Sequence, residues 1–151
     1  MFIQNYTYLD DGRTKISYSE FAGDGNKPNN KMICENAAPK ESFGAAITEA
    51  KKLFLTLAEI EADVRDVHIK KVVFKKTGKD GIVKVSFVGL VGLTKSSGHA
   101  KIETPEYLTS QPENAAGKNI LTAPQIAVVD DVISECKDYV NGDRLQVEAD
   151  V

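Results

Sequence analysis

The chain opens with two short runs, "FIQNYTYL" and "RTKISYSEF", on either side of "DDG". Phe2, Tyr6 and Tyr8 fall on one face of the first run, and Thr14, Ile16 and Tyr18 on one face of the second. Asp11-Gly12 between aromatic and β-branched segments predicts a hairpin. The Gly, Asn and Pro of "AGDGNKPNNK" predict a mobile loop over about 22–31. From Pro39 to about Val64 the period changes. Phe43, Ile47, Ala50, Phe54, Leu57 and Val64 recur at spacings of three, four or seven, with Ala46, Leu53 and Ile60 beside them, which predicts a long amphipathic helix with Pro39 in its first turn.

Three strands are predicted next: Val67 to Lys76, Ile82 to Leu93 and His99 to Thr104, joined by "TGKDG" and "TKSSG". In the last, Ala100, Ile102 and Thr104 alternate with His99, Lys101 and Glu103. In the first, Lys70-Lys71 followed by Val72-Val73 breaks the alternation, which points to a bulge or an irregular edge. A long polar connection, 105–121, reads as a second mobile loop. A final helix starts at "TAPQ", where Thr122 and Gln125 fit a capping box around Pro124. It buries Ile126, Val129, Ile133, Cys136 and Val140 and stops at Asn141-Gly142, leaving 145–151 as a flexible tail. The order ββ-α-βββ-α defines one α+β domain over 1–151: a single antiparallel sheet of about five strands with two helices on one face.

The strand "VSFVGLVGL" is apolar on both faces. Val83, Val85, Phe87 and Val91 face the helices, while Ile82, Lys84, Ser86, Val88 and Leu90 face away. A second apolar face calls for a cover, with Gly89 and Gly92 permitting close approach there. A second copy of the chain, meeting Ile82, Val88 and Leu90 in a homo-oligomer, supplies one. The tyrosine-rich hairpin or the 105–121 loop is the alternative.

Charge changes this picture. The chain carries −3, yet from His68 to Lys101 there are eight lysines and one acid, Asp80. A local positive field follows. The sixteen lysines outnumber three arginines, so the patch suits loose attraction to anions better than bidentate reading of bases. The candidate anion-binding residues are Lys70, Lys75, Lys84, Lys95, Ser97, His99 and Lys101; "KSSGH" could also offer turn N–H groups to a phosphate. The competing explanation is edge protection, which accounts for Lys70, Lys71, Lys75 and Lys76 without a ligand.

Catalytic chemistry finds little support. His68 and His99 sit in no nucleophile or metal pattern, and HExxH, CxxC, GxSxG and Walker motifs are missing. Asp130 and Asp131 diverge on a helix; Asp131 and Glu135 have metal-ligand spacing but are placed on a solvated face. No cofactor or metal is expected. Cys34 and Cys136, without a secretion signal or membrane span, fit reduced thiols in a cytoplasmic protein.

The layout, and above all the ending "ISECKDYVNGDRLQ", resembles a group of small uncharacterised phage accessory proteins. The matching residues are Pro39, Ala46, Gly89, Thr104-Pro105 and Tyr139 to Gln146. The resemblance implies a host-cell cytoplasm and a setting of DNA metabolism. It implies no mechanism, and the ending "VEADV" departs from the small hydrophobic tail of such proteins. A non-enzymatic binder of nucleic acid through the 68–101 meander is the first functional expectation. An oligomeric anti-defence protein that sequesters a signalling nucleotide, or binds a host protein, is the second.

Overall fold

β1 (Phe2–Tyr8) has a register shift between Ile3 and Asn5 that buries Ile3 together with Tyr6, in place of simple alternation from Phe2, and it joins β2 (Thr14–Glu20) through a turn in which Gly12 takes φ +87° and its N–H donates to the Leu9 carbonyl at 2.9 Å. The computed structural model describes residues 1–20, 29–76, 81–93, 95, 97–110 and 119–144. The remaining elements are β3 (Asn29–Glu35), α1 (Glu41–Leu57), β4 (Val67–Lys76), β5 (Val83–Gly92), β6 (His99–Glu103), β7 (Tyr107–Leu108) and α2 (Ala123–Val140). The loop expectations for 22–28 and 111–118, and the tail 145–151, lie outside the described residues.

Among the described residues the class is α+β, with one antiparallel sheet and two α-helices, but the sheet has seven strands rather than five. The order is β3-β2-β1-β4-β5-β6, with β7 lying beyond β6 along the same edge of β5. The two unexpected strands carry weak signals. β3 is a sheet-edge strand whose first four residues are all exposed, so it lacks apolar alternation, and its start overlaps the loop expected over 22–31. β7 is only two residues long. Thr104 joins β6 to β7: its N–H donates to the Phe87 carbonyl, and its Oγ1 accepts from the Phe87 N–H at 3.0 Å.

Helix α1 is shorter than its periodicity indicates. Lys40 is the N-cap, so Pro39 precedes the helix instead of occupying its first turn. The helix stops at Leu57 in a Schellman arrangement: the Ile60 N–H donates to Leu55 O and the Glu59 N–H to Thr56 O, with Glu59 at φ 57°. A 3-10 turn, Val64–Asp66, then leads into β4. Helix α2 begins as expected, with Thr122 and Gln125 forming both bonds of the capping box, and ends at Asn141 and Gly142 (φ +92°). Its fully buried line is Val129, Val132, Cys136 and Tyr139, while Ile126, Ile133 and Val140 flank it, half-buried.

Both helices share one core with one face of the sheet, through Tyr6, Ile16, Val72, Val85 and Phe87. α1 lies over β4 and α2 over β1. At Gly89 the Phe54 ring descends onto β5: a Cβ there would lie 2.6 Å from Phe54 Cζ. Gly89 thus serves the helix face, not the opposite face that sequence reasoning gave it.

The C-terminal string ties this layer down. Tyr139, fully buried, donates its hydroxyl to the Ala37 carbonyl at 2.6 Å. Lys40 Nζ reaches Asp138 and Asp143, each at 2.8 Å. These two carboxylates, mainly by hydrogen bonding, hold the Lys40 ammonium well above its usual pKa. Arg144 covers the Tyr139 ring, donates to the Tyr139 carbonyl and pairs with Glu35. "YVNGDR" is therefore a clasp between the end of α2 and the segment joining β3 to α1.

Candidate functional site

The face of the sheet away from the helices is read from strand register. Ile69 pairs with Gly89 and Lys71 with Val88, so Lys70 is the extra residue of a bulge, as the broken alternation indicated. The bulge lets Ile69 and Val72 both face the helices and leaves Lys71, Val73 and Lys75 on the opposite face. On β5 that face carries Lys84, Ser86, Val88 and Leu90, and on β6 Lys101 and Glu103.

Three cross-sheet rows result. One runs Lys15, Thr7, Lys71, Val88, Glu103. A second sets Lys75 directly opposite Lys84. A third sets Leu90 opposite Lys101. A depression of about 320 Å³ opens among them, lined by Lys70, Lys71, Lys75 and Lys101, with Thr7, Ser86 and Thr104 contributing hydroxyl-bearing residues and Glu103 the carboxylate. Val73 and Val88 are its apolar lining. The rings of Phe74 and Phe87 are buried in the helix-side core, which leaves no aromatic platform at the centre of this face among the described residues.

Edge protection does not account for these lysines. β4 lies between β1 and β5, and β5 between β4 and the β6–β7 edge, so Lys70, Lys71, Lys75 and Lys84 stand on interior strands. Strand order depends on contacts between β1 and β4 that are distant in sequence, and local patterning does not reveal it. Among the described residues, Lys15, Lys70, Lys71, Lys75, Lys84 and Lys101 make no ion pair, in contrast to Lys31, Lys40 and Lys52. Like charges directly opposite on neighbouring strands destabilise a sheet by about 0.2–1 kcal/mol. The Lys75–Lys84 pair therefore carries a cost that a bound anion would relieve.

Of the residues expected from sequence, Lys70, Lys75 and Lys101 come together in the depression, and Lys84 adjoins it. Lys95, Ser97 and His99 do not line it; Lys95 and Ser97 belong to the β5–β6 turn, closed by the Leu93 N–H donating to Gly98 O at 3.1 Å, and His99 opens β6 opposite Gly92. Residues 77–80, 94 and 96, which include Lys79, lie outside the described residues. Thr7 and Lys15 carry no mark of a site in the sequence, whereas alternation sets Ser86 with Lys84 on β5 and Glu103 with Lys101 on β6; strand pairing brings all four onto one shared face.

Val88 and Leu90 are half-buried within a single chain, as is Ile82 just before β5. Their cross-strand neighbours are long: Lys71 and Glu103 flank Val88, and His68 and Lys101 flank Leu90. Aliphatic stems of charged side chains shield apolar surface in this way. The hairpin does not cover this face, because β1 and β2 are strands of the same sheet.

The remaining titratable candidates have structural positions. Glu135 is not on a solvated face: it accepts from Ser42 Oγ at 3.0 Å, in the groove between the helices that Asp131 also lines. Among the described residues, no three His, Cys, Asp or Glu side chains converge as metal ligands. His68 makes an edge contact with Tyr8, ring centroids 4.9 Å apart. Burial, followed by the charges of Lys51 and His99, lowers its pKa. Among the described residues no helix is long and apolar enough to cross a membrane. No protein-family model, no curated protein and no solved structure matches the chain.

Proposed function

We propose that the chain is a non-enzymatic accessory binding protein of the phage type its sequence resembles, and that it holds nucleic acid by the phosphates against the lysine face of the sheet. The observation that carries this reading is the Lys75–Lys84 pair on interior strands, with Lys71, Lys101 and Lys15 around it and no ion pair to any of them among the described residues. Lysine without arginine, on a face without a central aromatic, favours contact with the sugar-phosphate backbone over base readout. Binding is then indifferent to sequence and steep in salt.

The test is a salt titration of a labelled oligonucleotide, single- or double-stranded, followed by fluorescence anisotropy. Each neutralised phosphate contributes about −0.7 (single strand) to −0.9 (duplex) to the slope of log K against log salt. Lys75→Gln/Lys84→Gln is expected to flatten the slope by about 1.4–1.8 and weaken all sequences alike. Absence of binding at low salt, or an unchanged slope in the double variant, refutes the reading.

Glu103 among the lysines favours a second reading. A carboxylate in a basic depression can accept from a base amino group while lysines hold phosphate, as in capture of a small signalling nucleotide. Thermal-shift measurements with mono-, di- and cyclic nucleotides separate the two readings. A nucleotide-specific shift abolished by Glu103→Gln selects the second; a native mass taken alongside shows whether a homo-oligomer forms.

A further inference from the structure

A second cavity, of about 290 Å³, opens on the helix side of the sheet, between the first half of α1 and the adjoining ends of β1 and β4. Its interior is apolar, with Phe43, Ile47 and Ile69 in the lining, and its polar rim carries Lys51, His68 and Tyr8. Two features of the lining have no explanation within the chain. Tyr6 is only 5% exposed, yet its hydroxyl has no hydrogen-bond partner among the described residues. An unpaired buried hydroxyl is destabilising. Gly44 stands exposed inside α1, where alanine would be the better helix former. No neighbour requires it, since a Cβ at Gly44 would meet nothing within 4 Å.

The geometry points to a binding site for a small amphipathic anion: a single-ring or short apolar body beneath Gly44 and beside Tyr6, with its carboxylate or phosphate held at the rim by Lys51 and His68. The volume suffices for one ring, since cavities of about 150 Å³ hold benzene. The charges around the rim favour an anion. Lys51 from α1, Lys70 from β4 and His99 from β6 act on His68 in the same direction, and Asp10 opposes them. This site is separate from the lysine depression and does not rest on its function.

The experiment uses the whole chain and four probes: benzoate, phenyl phosphate, the neutral benzamide, and inorganic phosphate. Two-dimensional NMR follows the Gly44 amide and the His68 ring. Benzoate or phenyl phosphate is expected to shift both and to raise the His68 pKa, with benzamide at least about tenfold weaker, or 1.4 kcal/mol. Gly44→Ala is expected to stabilise the fold while lowering affinity at least about tenfold, and Lys51→Gln to lower affinity for the anions alone. No shift by either organic anion at millimolar concentration, shifts by inorganic phosphate alone, benzamide binding as well as benzoate, or unchanged affinity in Gly44→Ala each overturn the proposal.

Discussion

Gly89→Ala offers a direct test of how α1 is seated. The new methyl would lie 2.6 Å from Phe54 Cζ and 2.7 Å from Cε1, whereas carbon atoms rest at about 3.5–4.0 Å. An overlap of about 1 Å must be relieved. Phe54 is fully buried, so its ring has no solvent to swing into, and either α1 lifts or β5 retreats. Overpacking of this kind costs about 1–3 kcal/mol. Because Gly89 does not occupy the left-handed region, alanine also restricts the unfolded chain and returns about 0.5–1 kcal/mol. The net expectation is a loss centred on about 1 kcal/mol, within about 0–2.5 kcal/mol, read as a lower urea midpoint with unchanged m in circular dichroism. Phe54→Leu in the Gly89→Ala background should cost less than Phe54→Leu alone, giving a coupling of at least about 0.5 kcal/mol. A Gly89→Ala protein more stable than the parent, or a strictly additive double variant, would refute the close approach of Phe54 to β5.

Two further substitutions test the ends of the helices. Glu59 holds φ 57°, a conformation that costs a residue with a side chain about 1–2 kcal/mol, so Glu59→Gly is expected to stabilise by about 0.5–1 kcal/mol after the entropy of glycine is deducted; an equal or lower urea midpoint contradicts the Schellman stop. Tyr139→Phe keeps the ring under Arg144 but removes the bond to the Ala37 carbonyl, and should cost about 1 kcal/mol and speed amide exchange around residues 36–40; unchanged exchange there argues against the clasp.

Local chemistry made several elements legible. The capping box at Thr122 and Gln125, the stop at Asn141-Gly142, the turn at Gly12 and the bulge at Lys70 each follow from side chains within a few residues of the feature they control. The misses share a cause as well. α1 ends at a left-handed glutamate, where glycine is the usual signal, so the apolar period of Ile60 and Val64 seemed to continue the helix. β3 gains its place by pairing along β2 and buries little, so no apolar pattern marks it. The lysines were visible as a cluster, but their meaning depended on strand order. Only the pairing of β1 with β4, at Lys71 to Val73, makes β4 an interior strand and turns Lys71 from an edge residue into a member of an interior face. Lys15 joins that face from a region with no notable charge.

The clasp at the end of α2 also bears on how the chain is made. Its bonds join residues 98 to 109 positions apart. During synthesis, β1 and β2 leave the ribosome long before α2 exists, and β1, although Phe43 of α1 reaches Tyr6, lacks its α2 neighbour until that helix arrives. At about 5–20 residues per second that interval is on the order of ten seconds. The strands of the sheet therefore exist before α2 can close over β1, and nascent chains stalled before residue 123 are the species most in need of a chaperone.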